Sequence, residues 1–400
     1  MSALLITQVR IEGRPTSLAL QDGSVLAVGP HAADALAGTE HEVLDARGDL
    51  ALPTLVDAHV HVDKTTWGGA WVSRNPMSTM PEFIAADAAL QQRTRAESSV
   101  ASRAGALMRH AVSRGTRAMR AHVDVAPPHG LANVEGVVAA REELAHAVDV
   151  QIVAFPQMGI LREPGTAELL ARAASSGADF VGGIDPIGVD GDMDRHLDIV
   201  FGIAQDHGVG IDFHLHDEGE DGVEQVLAIA ERTRALGLEG RVTLGHVFAY
   251  EGADPETFDR MNRAVLEAGI TMVTVALGGE PVLPVYDLRD AGVRVALGSD
   301  GVRDSWSPFG NAEMIERAHL LAYRLEVFTD EDLQYAFDAA AHHGATMMGL
   351  PESRLRVGDP ADLMIVAGAH APEVVIDRPV PRAVIKGGRV VARDGVFLEA

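Results

Sequence analysis

The sequence predicts an α/β protein: a (β/α)8 TIM barrel with a small β-rich domain formed from both chain ends. In the middle of the chain, eight apolar runs alternate with helical segments, and short strand-like segments with turns occupy both ends. A chain of 400 residues with 47% hydrophobic residues can form one large barrel and an appended domain. An open doubly wound sheet is the alternative, but no G-x-G-x-x-G motif opens a helix after the first strand.

The chain ends carry the segments of the small domain. The first end contains ITQVRIEG and TSLALQDGSVLAVG, and the last contains GDPADLMIVAG and PRAVIKGGRVVARDGVF. We expect residues 1–50 plus 351–400 to form a composite β-sandwich domain, and residues 51–350 to form the barrel. Within the small domain, IKGGRVV is predicted to pair with ITQVRIEG.

The barrel strands are expected in apolar runs, most of which end in polar residues. In chain order the runs are TLVDAHVHV, TRAMRAHVDV, DVQIVAFPQMG, DFVGGIDPIG, GVGIDFHLHDE, RVTLGHVFAY, ITMVTVALGG and VRVALGSDGV. Predicted helices separate them at 82–114, 131–147, 167–175, 195–206, 223–235, 256–268 and 282–290, and another at 311–325 follows the eighth. Because the active sites of such barrels lie at the C-terminal ends of the strands, the polar residues there are the candidate site.

Composition limits the partners and the chemistry. A formal net charge of −25 disfavours phosphate backbones and anionic membranes, so we expect neither nucleic acid nor a membrane as partner. No basic start with an apolar h-region is present, and no apolar run approaches the ~18 residues of a membrane span, which predicts a cytoplasmic protein. Because cysteine is absent, a transition metal would need histidine and carboxylate ligands.

Two histidines leave the first barrel strand on one face. In DAHVHVDK, His59 and His61 are two residues apart, so both rings point the same way in a β-strand. Such a pair either shares a metal ion or is accidental, and the spacing alone does not decide between the two.

Other strand ends also carry polar side chains. They are His122 and Asp124 after strand two, Gln157 after three, Asp185 after four, His214, His216, Asp217 and Glu218 after five, His246 after six, and Asp300 after eight. A single histidine at a strand end more often satisfies backbone groups than binds a ligand, and His122, His216 and Asp124 are assigned to that structural class. The histidine pair, His214, His246 and Asp300 all lie at the ends of predicted strands. This common position favours a single cavity that all five side chains line.

The motifs around these residues resemble the amidohydrolase superfamily, and specifically its cytosine-deaminase-like branch. The stretches that carry the resemblance are LPTLVDAHVHVDK, RAHVDV, QIVAFPQMGIL, VGGIDP, DFHLHDE, VTLGHV and LGSDGVRDSWSPFGNAEM. They spread over about residues 50–320, and the flanking segments resemble the composite β-domain of that family.

The resemblance implies a metal site with the ligands His59, His61, His214 and Asp300. Histidine and carboxylate ligands with an open position suit zinc or iron(II). Family members with two metal ions bridge them with a carbamylated lysine at the end of strand four. The two lysines of this chain, Lys64 and Lys386, lie elsewhere, so one divalent ion is expected.

The resemblance also implies catalytic roles. His246 would hold the attacking water, Asp300 would accept its proton, and a carboxylate after strand five would pass a proton to the ring nitrogen and then to the leaving amine. The family has a glutamate three residues after the metal histidine. That position is Asp217 here and Glu218 follows it, so both are candidates, and the spacing favours Asp217.

The substrate contacts implied by the resemblance are Gln157, Trp306 and Asp185. The amide of Gln157 would bind a ring carbonyl and its adjacent N–H, and Trp306 would close over the ring. Where cytosine deaminases have a second aspartate after the metal aspartate, this chain has Gly301, and Met158 replaces an acidic residue. The pocket is therefore expected to accept rings other than cytosine: aminated pyrimidines, purine-like rings, pterins or triazines.

The predicted function is that of a metal-dependent hydrolytic deaminase, which releases ammonia from a free amino-substituted N-heterocycle. One alternative is an amidohydrolase that removes an N-alkyl amine or opens a cyclic amide, although most cyclic amidases of this type need the absent bridging lysine. Another is an inactive metal-binding barrel, which the complete ligand set disfavours. Nucleic-acid deaminases need a P-C-x-x-C motif that this chain lacks. We also expect a homo-oligomer.

Overall fold

The structure is a computed structural model that describes residues 3–73, 80–276 and 278–399. Its strands are β1 (Ala3–Ile11), β2 (Arg14–Gln21), β3 (Ser24–Val28), β4 (Glu42–Asp45), β5 (Leu50–Pro53), β6 (Leu55–His61), β7 (Thr116–Asp124), β8 (Asp149–Phe155), β9 (Phe180–Ile184), β10 (Gly210–Leu215), β11 (Val242–His246), β12 (Thr271–Thr274), β13 (Val295–Leu297), β14 (Asp300–Gly301), β15 (Leu363–Val366), β16 (Ala383–Lys386), β17 (Arg389–Arg393) and β18 (Val396–Phe397). Its helices are α1 (Met80–Glu97), α2 (Val100–Ser113), α3 (Ala132–Glu143), α4 (Thr166–Ala174), α5 (Met193–His207), α6 (Gly219–Ala235), α7 (Pro255–Glu267), α8 (Val285–Asp290), α9 (Met314–Arg324), α10 (Asp330–Asp338), α11 (Gly344–Met347) and α12 (Ala371–Asp377).

The central sheet is a barrel of parallel strands in the order β13-β12-β11-β10-β9-β8-β7-β6-β14. The strands β13 and β14 are two parts of the eighth barrel strand, and β14 pairs with β6, which closes the ring. Each of the first seven predicted runs contains one of these strands and the eighth contains β13 and β14, so the predicted (β/α)8 fold is confirmed. Leu277, in the predicted seventh run, lies outside the described residues.

The eighth strand approaches β6 closely at Gly298. A Cβ atom at this position would lie 2.5 Å from the Cβ of His59 and 2.6 Å from its carbonyl oxygen. Only glycine permits so close a contact between two backbones. The contact places Asp300 beside the strand that carries the histidine pair.

The single helix predicted over 82–114 is wrong, because two helices, α1 and α2, occupy this range. Ser99 is the N-cap of α2, and its side chain accepts the backbone N–H of Ser102 at 3.1 Å. Serine at such a position satisfies a free N–H of a new first turn, which starts a second helix. The buried Arg103 donates to the carbonyls of Thr94 and Ser98 and so holds the junction together.

Both chain ends contribute to a second sheet, in the order β18-β17-β16-β15-β5-β1-β2-β3, with β4 paired to β1. The two ends meet where β5 and β15 run antiparallel. This confirms the small β-rich domain built from both termini, while its division at 1–50 and 351–400 stays a prediction.

The predicted pairing of IKGGRVV with ITQVRIEG is wrong, because IKGGRVV folds on itself. Gly387 and Gly388 both have positive φ, 55° and 76°, and connect β16 to β17 as a two-residue hairpin loop. Glycine supplies this backbone conformation without strain, so the local hairpin forms instead of the long-range pair. The strand β1 pairs with β2, β4 and β5.

A single large apolar core lies between the barrel sheet and its surrounding helices, and a second one lies within the terminal sheet. In the part of the chain that the structure describes, no helix combines the length and the apolar character that crossing a membrane requires.

Candidate metal centre and active site

Four side chains from three barrel strands converge at the C-terminal end of the barrel. His59 and His61 come from β6, His214 from β10, and Asp300 from β14. The Nε2 atom of His61 lies 3.3 Å from Asp300 Oδ1 and 3.3 Å from His214 Nε2. The Nε2 atom of His59 lies 3.6 Å from Asp300 Oδ1. The structure thus brings together the four residues predicted as metal ligands.

The cluster fits a metal ion. All three histidines are buried. The Nε2 atom of His59, which faces Asp300, has no hydrogen-bond partner among the described residues, and the Nε2 atoms of His61 and His214 lie 3.3 Å from each other. Buried polar atoms without partners cost free energy, so this arrangement calls for a ligand. Three imidazoles and one carboxylate are a donor set that suits zinc or iron(II).

The charge states in the cluster also suit a metal ion. Burial alone would raise the pKa of Asp300, but contacts with His59 and His61 outweigh it and hold that pKa well below its usual range. Burial, together with the neighbouring imidazoles, holds the pKa of His214 well below its usual range. A carboxylate and a neutral imidazole are the forms that ligate metals.

His246, predicted to hold the attacking water, lies beside this cluster. One of its ring nitrogens, one of His59 and a carboxylate oxygen of Asp300 lie within 4.8 Å of one another. Both ring nitrogens of His246 are buried and lack a hydrogen-bond partner among the described residues. The backbone is left-handed at His246 and Asp300, with φ of 67° and 62°, a strained conformation for residues other than glycine.

A second layer of side chains supports His59. The ring of His122 stacks on that of His59, with centroids 3.9 Å apart and planes 27° apart. Behind it, His122 Nε2 lies 3.2 Å from Asp212 Oδ1, and Arg120 donates to Asp212 Oδ2 at 2.9 Å. Burial, with the adjacent His59, lowers the pKa of His122 to about 3. His122 therefore has the structural role that was assigned to it, and in this role it orients His59, a predicted metal ligand.

His216, also assigned to the structural class, lies inside the site. Its Nδ1 donates to Asp185 Oδ2 at 2.7 Å, and its ring centroid is 4.5 Å from that of His246. The other oxygen of Asp185 accepts the backbone N–H groups of His216 and Asp217. Asp185 thus positions the end of β10, and its contact with a substrate stays a prediction.

The two candidate proton shuttles have different surroundings. Asp217 Oδ2 accepts the backbone N–H of Gly188 at 2.8 Å and the amide of Gln225 at 2.9 Å, and burial raises the pKa of Asp217. Glu218 is exposed at the start of α6. A half-buried carboxyl with a raised pKa is the better proton donor near neutral pH, which favours Asp217.

Gln157 contacts a buried lysine, and this contact was not predicted from the sequence. The buried Lys64 donates to Gln157 Oε1 and lies 5.7 Å from the ring centroid of Phe155, which stacks on His214 at 4.0 Å. Trp306 is half-exposed in the loop after β14. Its predicted closure over a substrate ring stays a prediction.

Four residues next to the site were missed from sequence: Asp57, Ser299, Lys64 and Asp304. A Cβ atom at Gly301 would lie 2.3 Å from Asp304 Oδ2, so the space that the sequence predicted to be open at Gly301 is filled. The only available signals were the position of Asp57 two residues before the histidine pair and the scarcity of lysine. Neither signal identifies a contact, because Asp57 and Ser299 are 242 residues apart in the chain.

The fold and this site define a class of protein, the metal-dependent hydrolases built on a (β/α)8 barrel. The family model for the amidohydrolase family matches residues 42–392. The chain belongs to the amidohydrolase family, and its relatives are hydrolases that act on C–N bonds.

Individual relatives show which hydrolases of this family the chain is similar to. N-isopropylammelide isopropyl amidohydrolase of Pseudomonas sp. (strain ADP) is 31% identical over 373 residues, which cover 90% of each chain. The crystal structure of N-isopropylammelide isopropylaminohydrolase from Burkholderia multivorans ATCC 17616 shares 36% identity and a TM-score of 0.91 over all of both chains. That of 5-methylcytosine deaminase from Klebsiella pneumoniae, liganded with 5-fluorocytosine, shares 28% identity and a TM-score of 0.81 over 97% of each.

Proposed function

We propose that the protein hydrolyses the exocyclic C–N bond of an oxo-substituted N-heterocycle. Water adds to the ring carbon, the amine leaves, and the product carries an oxo group in its place. The observation that carries this proposal is the convergence of His59, His61, His214 and Asp300 beside His246.

The leaving group is a small alkylamine in the first candidate function. Relatives at 31% and 36% identity are named for removal of an isopropylamino group. Release of ammonia from a free amino group, the function predicted from the sequence, is the second candidate. The similarity to 5-methylcytosine deaminase supports it. Both reactions use the same ring chemistry.

Each residue of the site has a proposed task. His59, His61, His214 and Asp300 would hold one divalent zinc or iron(II) ion, which would make a water acidic enough to react at neutral pH. His246 orients the attacking water and Asp300 accepts its proton. Asp217, or Glu218 in its place, gives a proton to the ring nitrogen and then to the departing amine.

Matched substrates test the proposal and separate the two leaving groups. The metal-loaded protein is incubated with N-isopropylammelide, with the same triazine carrying a free amino group, and with cytosine and 5-methylcytosine. Isopropylamine is measured by mass spectrometry and ammonia by a coupled enzyme assay. Amine release that disappears in Asp300→Ala supports the proposal. Release of neither amine from any of these rings refutes it and favours an inactive metal-binding barrel.

A further inference from the structure

We propose that Gln225 is a positioning residue for Asp217: it holds one oxygen of that carboxyl group, so that the other oxygen carries the proton for the leaving amine. The inference rests on the function proposed above and deepens it, because it assigns the proton transfer to one atom, Asp217 Oδ1. Gln225 lies in α6, outside the motifs that carry the family resemblance.

Gln225 is a fully buried amide. Its exposed fraction is 0%, and the buried face of α6 on which it lies also carries Val226 and Ile229. Burial of an amide is unfavourable unless its polar atoms are hydrogen-bonded. The contacts that these atoms make therefore account for a glutamine at this position.

Both ends of the amide are hydrogen-bonded. Gln225 Oε1 accepts the backbone N–H of Ile187, in the loop after β9, at 3.4 Å, and Gln225 Nε2 donates to Asp217 Oδ2 at 2.9 Å. A backbone N–H only donates and a carboxylate only accepts, so the two partners determine which end of the amide is the oxygen. The fold thus fixes the direction of the donor that Asp217 meets.

The two oxygens of Asp217 differ as a result. Oδ2 accepts N–H groups from Gly188, at 2.8 Å, and from Gln225, at 2.9 Å. Oδ1 has no hydrogen-bond partner within residues 3–73, 80–276 and 278–399. A carboxylate oxygen has two lone pairs, and both of those on Oδ2 are used. A proton on this carboxyl group therefore resides on Oδ1.

Close packing keeps Asp217 next to these donors. A Cβ atom at Gly188 would lie 2.1 Å from Asp217 Oδ1 and 2.8 Å from Oδ2, and a Cβ atom at Gly222 would lie 2.1 Å from the carbonyl oxygen of Asp217. Neither glycine has positive φ, so the absence of a side chain serves close approach. The loop after β9 confines the side chain of Asp217, and the first turn of α6 confines its backbone.

The charged groups around Asp217 are acidic. Burial raises the pKa of Asp217 most, and the charges of Asp185 and Asp221 add to that rise. The hydrogen bonds from Gly188 and Gln225 act in the opposite direction. Loss of the Gln225 donor should therefore raise this pKa further, because the carboxylate loses a group that stabilises its charge. A glutamine that served only to pack α6 would leave this pKa unchanged.

Gln225→Met tests the assignment by removing the donor at nearly constant side-chain volume. The metal-loaded variant is assayed across pH with the ring from which the unmodified protein releases an amine. We expect kcat to fall about 10-fold, KM to change less than about 3-fold, and the inflection due to Asp217 to move upward by about one pH unit. The matched control is Gln334→Met, since Gln334 donates to Asp338 Oδ1 at 2.9 Å within α10.

A second measurement needs no turnover. Metal-loaded protein with 13C at the side-chain carboxyl of aspartate is titrated by NMR, and Asp217→Asn identifies the signal of Asp217. We expect the same upward shift of its pKa in Gln225→Met and no shift in Gln334→Met. If Gln225→Met loses metal or fold, Gly188→Ala decides, because its Cβ would displace the carboxylate from both donors and should also raise the pKa.

An unchanged pKa of Asp217 in folded Gln225→Met overturns the inference, as does an equal loss of kcat in Gln334→Met. Where Gly188→Ala has to decide, an unchanged pKa in that variant has the same consequence. Failure of the proposed function looks different. The NMR shift without amine release from any ring refutes the function alone. Amine release with an unchanged pKa of Asp217 refutes only the role of Gln225.

Discussion

Ser299 donates both its backbone N–H, at 2.9 Å, and its hydroxyl, at 2.5 Å, to the carboxylate of Asp57. The pair is buried and connects β6, two residues before His59, to the eighth strand, one residue before Asp300. It therefore fixes the separation of predicted metal ligands that lie far apart in the chain. Contacts behind a ligand set commonly tune metal affinity in this way.

Ser299→Ala should lower metal affinity by about 10-fold, because the hydroxyl that holds Asp57 is lost while the backbone contact remains. The measurement is competition for zinc against a fluorescent chelator. Ser113→Ala is the matched control, since Ser113 is a buried serine whose hydroxyl donates to His110 O within α2. Equal zinc affinity in Ser299→Ala and the unmodified protein would show that the pair does not tune the site.

Gly298→Ala should destabilise the fold by about 2 kcal/mol or more, because its methyl group would overlap the backbone of His59. Thermal or urea unfolding measures the change. Gly202→Ala, in the middle of α5, has room for its methyl group and should be neutral or slightly stabilising. Comparable stability of the two variants would contradict the close strand contact.

Asp217→Asn should reduce amine release by about 100-fold or more, the usual effect of removing a general acid, while Glu218→Gln should change it less than about 3-fold. The physical reason is the half-buried position and raised pKa of Asp217 against the exposure of Glu218. Steady-state kcat is compared for both variants at equal metal content. A larger loss of kcat in Glu218→Gln than in Asp217→Asn would show that Glu218 is the general acid.

Asp190→Ala should raise KM by about 10-fold with a smaller effect on kcat, because Asp190 anchors the loop that follows Gln157. Its carboxylate accepts the N–H groups of Ile160 and Leu161 at 3.0 and 3.1 Å and the Nδ1 proton of His196 at 2.6 Å. A substrate-binding loop that is held less firmly lowers substrate affinity more than it lowers the rate of the chemical step.

The control for this variant is Asp192→Ala, two residues further along. Asp192 caps α5 by accepting the N–H of Arg195, so its loss should cost about 1 kcal/mol of stability and leave KM unchanged. A similar rise of KM in both variants would mean that Asp190 acts only through general stability.

The barrel and the convergence of four polar side chains could be predicted because each signal is local or periodic, whereas the assignment of these four side chains as metal ligands came from the resemblance to the amidohydrolase superfamily. The eight strands follow from runs of β-branched residues, and the rings of His59 and His61 share a face because strands alternate every two residues. The positions of His214 and Asp300 follow from the rule that active-site residues end barrel strands.

The contacts around the site could not be predicted because they join distant segments. The hydrogen bond of Lys64 to Gln157 spans 93 residues. Asp304 Oδ2 lies 2.3 Å from the position of a Cβ at Gly301, and this contact depends on the path of a loop, which no periodic pattern reports. The paired glycines at 387–388, in contrast, were a local hairpin signal that outweighs the predicted long-range pairing.

Anomalous diffraction at the zinc and iron absorption edges tests the central claim most directly. The account predicts one peak in each chain, about 2.0–2.2 Å from nitrogens of His59, His61 and His214 and from an oxygen of Asp300. Absence of a peak from metal-supplemented crystals, a peak bound by other residues, or two peaks at the strand ends would contradict it.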